Sequence, residues 1–167
     1  PKTCFIFELK KELMLSVACK YSIRAILYLS IHAGEDHKLG VKKIAEDLEI
    51  PQAYLAQLLR QLTANKLVSS FKGPNGGFYL SKENKEQSVW DIICCIDTSY
   101  KFDECFIGLA QCNDINPCQI HYIVSPFKED ILKDFKHKTI ETLGEEIKKN
   151  GTAISLKFLT PENSDKS

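Results

Sequence analysis

The chain has 167 residues, of which 44% are hydrophobic and 26% charged, and its formal net charge is zero. That composition is globular, and no apolar run approaches the roughly 18 residues that span a bilayer, which excludes a membrane-spanning helix. The zero net charge excludes a uniformly basic chain. It conceals an asymmetry, since residues 14–82 hold nine Lys/Arg against five Asp/Glu (+4) and residues 83–167 hold ten against fifteen (−5). A basic front and an acidic rear suit a nucleic-acid-reading part joined to a sensing or assembly part. Seven cysteines are many for such a chain. Their odd number, with no basic-then-apolar leader at the start, argues against a disulfide framework and for reduced thiols in a cytoplasmic protein.

In chain order, Met14 reads as a start and residues 1–13 as an upstream extension. From Ser16, a plausible N-cap, to Ala33 the residues Val17, Ile23, Ile26, Leu27, Leu29 and Ile31 recur at helical spacing, and Gly34 closes the helix. Val41 to Leu48 predicts a short helix with Val41, Ile44, Ala45 and Leu48 on one face. Glu49-Ile50 is the link, and Pro51 stands in the first turn of a helix reaching about Asn65, striped by Leu55, Leu58, Leu59 and Leu62. Two helices so joined read as a helix-turn-helix. Leu67 to Lys72, the turn Gly73-Pro74-Asn75-Gly76-Gly77 and Phe78 to Leu80 then predict a β-hairpin, hence a wing.

Ser88 caps a predicted helix through Ile96, with Cys94 and Cys95 on its apolar stripe and expected in the core. The next segment carries Cys105-x6-Cys112-x5-Cys118-x2-His121. Three thiols and an imidazole gathered in one loop are the donor set of a soft metal centre, either an iron–sulfur cluster or zinc. A long helix follows from near Pro117 to about Lys138, with Pro126 expected to bend or split it. Ile140, Leu143 and Ile147 extend the pattern, and the rest from about residue 150 reads as a tail.

The run from Leu48 to Arg60, Leu48-Glu49-Ile50-Pro51-Gln52-Ala53-Tyr54-Leu55-Ala56-Gln57-Leu58-Leu59-Arg60, followed by Leu67-Val68-Ser69-Ser70-Phe71-Lys72-Gly73-Pro74-Asn75-Gly76-Gly77-Phe78, closely resembles the Rrf-two family of bacterial transcriptional regulators. The opening from Met14 to Ala25 resembles that family too, and the likeness covers about residues 14–145. The resemblance implies a mainly α fold with a small β-hairpin wing, a winged helix-turn-helix plus a long dimerisation helix. The expected divisions are 14–83 for DNA binding and 84–150 for the cysteine-loop sensor and dimerisation helices, with 1–13 and 151–167 as extensions. It implies a homodimer without enzymatic activity, bound to palindromic double-stranded DNA. It also implies an iron–sulfur cluster on Cys105, Cys112 and Cys118, with His121 matching the fourth ligand of the iron–sulfur-assembly regulators. A 2Fe–2S centre is favoured and 4Fe–4S possible.

Here the first cysteine gap has six residues where the family pattern has five. Lys20 stands where nitric-oxide-sensing members place an acidic ligand, which points to His121 or an exogenous ligand, with Cys19 an outside candidate. The expected DNA-contacting residues are Gln52, Tyr54 and Gln57 at base edges, with Ala56 limited to apolar contact. Arg60 and Lys72 are expected at phosphates, and the wing turn, with Asn75 and Gly76, over the adjacent minor groove. The function expected is sensing of redox, nitric oxide or iron–sulfur status. The alternatives are a clusterless or zinc/thiol-stabilised regulator, or a protein-interaction module of the same fold.

Overall fold

A computed structural model describes residues 15–97 and 100–151 of the chain. Met14, the extension before it and the tail from residue 152 lie outside the described residues. Helix α1, Val17–His32, starts where the Ser16 hydroxyl accepts the Cys19 N–H at 3.0 Å. It ends at Ala33 in an extended conformation, and Gly34 instead exchanges two backbone bonds with His37.

Helix α2, Val41–Leu48, buries Ile44, Ala45 and Leu48, and is terminated by Glu49 in the left-handed conformation, φ 56°. Helix α3, Gln52–Ala64, follows Pro51, which occupies the N-cap position and not the first turn. Its buried stripe is Leu55, Leu58, Leu59 and Leu62, each side chain contributing about 1.5–3 kcal/mol on burial.

The wing is β1, Ser69–Phe71, paired antiparallel with β2, Gly77–Tyr79, in the register Ser70 opposite Phe78. Both strands are shorter than the apolar runs predict, because Leu67 and Val68 turn inward as buried residues before pairing begins. Leu39 adds a third rung, its N–H and carbonyl bonding to Phe78 at 3.0 and 2.8 Å. Buried Asn84 ties the hairpin base down. Its Oδ1 accepts from Ser69 Oγ and the Ser81 N–H, and its Nδ2 donates to the Lys66 carbonyl.

Helices α4, Lys82–Lys85, and α5, Val89–Ile96, each begin with a capping box, on Ser81 and Ser88 respectively. Helix α5 buries Val89, Ile92 and Ile93. At 100° per residue this turns Cys94 to the far side, so Cys94 is exposed and Cys95 half-buried, correcting the expectation that both lie in the core. After α6, Tyr100–Asp103, and the cysteine loop, α7 spans His121–His137. It starts later than Pro117 because Cys118 and Ile120 are spent in turns, and it runs unbroken through Pro126. The proline removes the N–H that would reach the Tyr122 carbonyl, and both Pro126 and Tyr122 lie on the exposed side of the helix, where a lost backbone bond costs less than in the core. Helix α8, Ile140–Asn150, is capped by Thr139 and lies against α1, with Gly144 at the crossing under Ser30.

One core joins these elements. Ala25, Ile26 and Leu29 of α1 pack with Leu55, Leu59 and Leu62 of α3, Ile92 of α5 and Ile140 of α8. A smaller cluster of Cys19, Val89 and Ile93 extends it toward Phe102 and Phe135.

A Cβ on Gly77 would lie 2.7 Å from the Leu39 carbonyl oxygen, where two backbones meet and neither side can swing away. Gly77→Ala is expected to lower unfolding free energy by about 1–3 kcal/mol in urea titrations. Gly34→Ala, whose Cβ meets nothing within 4 Å, should stay within about 0.5 kcal/mol.

Candidate metal centre and nucleic-acid interface

The cysteine loop is a series of tight turns. Gly108, φ 78°, returns its N–H to the Cys105 carbonyl at 2.9 Å, a left-handed position that glycine takes at no steric cost. Asn113 and Asn116 exchange backbone bonds, and the Asn113 side chain accepts the N–H groups of Ile115 and Asn116 at 3.0 and 2.9 Å. The Cys118 carbonyl then accepts the His121 N–H at the mouth of α7.

These turns bring the sulfurs of Cys105, Cys112 and Cys118 within 4.8 Å of one another, with Cys105 and Cys118 3.8 Å apart. Metal–sulfur bonds of about 2.3 Å in tetrahedral geometry place two thiolates about 3.8 Å apart, so the donor set fits a soft metal. His121 stands beside the trio, its Nδ1 3.3 Å from Cys112 Sγ. Its Nε2 lies 3.0 Å from an oxygen of Asp114. A carboxylate only accepts, so Nε2–H is the donor to Asp114 and Nδ1 is the nitrogen that faces Cys112. The four donors open on a cavity of about 200 Å³ walled by Phe102, Val124, Lys128 and Leu132. Lys128 donates to the carbonyl of Glu104, joining α7 to the residue before the first cysteine. Cys19 is buried in the core cluster, away from the three thiols that converge.

Desolvation by itself would raise the Cys105 thiol. Hydrogen bonds from the backbone N–H groups of Ile107 and Leu109, and from the thiols of Cys112 and Cys118, outweigh it and lower its pKa to about 7. Cys112 moves the other way. The Cys118 N–H lowers its pKa, but desolvation and its neighbours Cys118 and Cys105 prevail and raise it.

On the other side of the molecule, Gln52, Tyr54, Gln57 and Arg60 are all exposed along α3. Tyr54 meets Tyr21 edge-on at 6.1 Å, and Arg24 lies over Tyr21 while donating to the Leu48 carbonyl at 3.0 Å. Arg60 folds back, its Nε 3.1 Å from the Ala56 carbonyl. Lys72 and Asn75 project from the wing, and Gly76 is half-buried because a Cβ there would sit 2.3 Å from the Phe71 carbonyl oxygen.

The family model for Rrf2, described as an iron-dependent transcriptional regulator, matches residues 15–146. The chain belongs to the Rrf2 family. A protein of Aquifex aeolicus assigned as an HTH-type transcriptional regulator is 33% identical over 133 residues, 78% of this chain and 91% of that one. The HTH-type transcriptional regulator IscR of Yersinia pseudotuberculosis is 30% identical over 124 residues, 74% of each chain. Among solved structures, CymR of B. subtilis superposes with a TM-score of 0.65 at 20% identity, covering 80% of this chain and 97% of that one. IscR of T. potens does so with 0.63 at 22%, covering 87% and 96%. The Rrf2 fold, a mainly helical winged helix-turn-helix, is the one described above, and the family's members are DNA-binding transcriptional regulators, not enzymes.

Four residues of this Rrf2 chain escape a reading of motifs. Tyr21 and Arg24 brace the start of α3 from α1, and Gln61 Nε2 donates to the Cys95 carbonyl at 2.8 Å, joining α3 to the end of α5. Only Asp114, lying between two of the cysteines, carries a signal in the sequence.

In metal-free reduced protein, Cys105 is expected to be half thiolate near pH 7. Its alkylation by iodoacetamide should rise between pH 6 and 8, while Cys112 reacts only at higher pH. Peptide mass spectrometry across that pH range checks the order.

Proposed function

We propose that this chain is a homodimeric regulator in the bacterial cytoplasm that binds palindromic double-stranded DNA. It follows redox, nitric oxide or iron–sulfur status through an iron–sulfur cluster on Cys105, Cys112, Cys118 and His121. The observation that carries the reading is the convergence of three thiols, with an imidazole beside one of them, between the winged helix-turn-helix and a long exposed helix. The imidazole beside the three thiols is the donor that favours a two-iron centre, since histidine takes the place of cysteine on one iron in some such clusters. A 2Fe–2S cluster is therefore favoured over 4Fe–4S, and the family's description as iron-dependent supports iron. When bound, a cluster supplies a redox couple whose potential follows ligation and solvent exposure.

The protein's part is to hold the loop and pass its state to the DNA face. Phe102, which walls the cavity, meets Trp90 of α5 and Phe135 of α7 edge-on at 5.4 and 6.2 Å. Helix α5 reaches the reading helix through Gln61. A loop that loses its metal would thus disturb α5, α7 and the seat of α3 together. Ile123 and Phe127, one turn apart on α7 and 75% and 65% exposed, offer the apolar face on which a second copy would seat. At the DNA, Gln52, Tyr54 and Gln57 take base edges, Arg60 and Lys72 phosphates, and Asn75 and Gly76 the minor groove.

Zinc is the second reading, favoured because the 3.8 Å separation of Cys105 and Cys118 equals one edge of a zinc–thiolate tetrahedron. Anaerobic purification with iron and sulfide analysis separates the two. Coloured protein with matching iron and sulfide is expected, lost in Cys112→Ala, whereas colourless protein with one zinc per chain would establish the second reading.

Lys72→Ala should weaken binding to palindromic DNA uniformly across sequences and lower the salt slope by about 1 in titrations at several salt concentrations. DNA binding that is absent in both metal-free and metal-loaded protein would instead support a protein-interaction module.

A further inference from the structure

We propose that Asp114 is a positioning residue that makes His121 a metal ligand, a role that rests on the metal reading above. His121 is restrained on three sides. Its Nδ1 faces Cys112 Sγ at 3.3 Å, its Nε2 faces the Asp114 carboxylate at 3.0 Å, and its ring meets Tyr122 edge-on at 5.2 Å and 89°. The His121 side chain is 14% exposed, so the ring has little room to turn.

Asp114 itself is held by its neighbours. It is the second residue of the turn that Asn113 and Asn116 close with backbone bonds in both directions, and Asn113 Oδ1 clamps the two following N–H groups. None of those bonds uses the Asp114 side chain. Its carboxylate is 88% exposed, yet it points back across the loop to the imidazole.

Two effects follow from this geometry. By accepting the Nε2 proton, the carboxylate selects the tautomer whose Nδ1 lone pair faces the thiols. A cation drawing electron density from Nδ1 also makes Nε2–H a stronger donor, so the bond to Asp114 tightens on metal binding and stabilises the bound state selectively. Removing such an outer partner of a ligating histidine weakens metal binding by about 10- to 100-fold.

The test uses the full chain, metal-free and reduced, titrated with cobalt(II) while the thiolate-to-cobalt bands are followed. Asp114→Ala should lose about 10- to 100-fold in cobalt affinity and Asp114→Asn less, since the amide oxygen still accepts. His121→Ala and the double variant should lose the same amount, because Asp114 acts only through His121. Long-range proton–nitrogen NMR of the metal-free protein should show His121 protonated at Nε2 in wild type and shifted toward Nδ1 in Asp114→Ala. Equal cobalt affinity in wild type and Asp114→Ala, or additive losses in the double variant, would overturn the role of Asp114 alone. Failure of the wild type to take up cobalt would overturn the metal reading beneath it.

Discussion

Everything in this molecule is referred to the buried face of α1. Ala25, Ile26 and Leu29 are fully buried, and α3, the second helix of the helix-turn-helix, α5, which leads toward the cysteine loop, and α8, which follows α7, all pack on this one core. The attachment is polar as well as apolar. Buried Asp97, at the end of α5, accepts the N–H of Ser16 at the start of α1 at 2.9 Å, placing a carboxylate where a helix presents unsatisfied donors. The loop that carries the three converging cysteines therefore departs from a fixed point. No movement of that loop can reach α5 without straining a core that also seats α3, because close-packed interiors transmit strain.

The two functional faces are built to different physical specifications. The DNA face is a set of exposed polar side chains on a helix whose opposite stripe is buried, so its positions are set by the core and its contacts are left to solvent and ligand. The cysteine loop and α7 have little core of their own, and none of α7 is fully buried. Their order comes from turns and hydrogen bonds: a left-handed glycine at 108, the clamp of Asn113, and Lys128 on the Glu104 carbonyl. A segment held by such bonds opens at lower cost than one held by burial, which suits a sensing element. Helix α7 leaves an apolar row, Ile123 and Phe127, exposed.

The periodicity of apolar residues sufficed for α1, α2, α3 and α5, and the glycine-rich turn sufficed for the wing, because each of these elements buries one regular face. It was less informative where burial is not what decides. Cys94 shares a stretch with Ile92 and Ile93 but lies on the opposite side of the helix. Pro126 carries a strong helix-breaking preference, yet it occupies a solvent-facing turn where the lost hydrogen bond is cheap. Helix α7 begins four residues after Pro117 because the Cys118 carbonyl first accepts the His121 N–H in a tight turn, and Ile120 serves as the N-cap.

By itself the sequence determined the element order, the winged helix-turn-helix and the identity of the soft donors, since these follow from local spacing and residue chemistry. Only the tertiary structure decided how closely the three thiols converge, that Cys19 belongs to the core, and that Asp114 faces His121. It alone showed Gln61 reaching across 34 positions to the end of α5. Contacts between segments distant in sequence depend on how helices pack and turns close, and no local pattern of residues encodes those geometries.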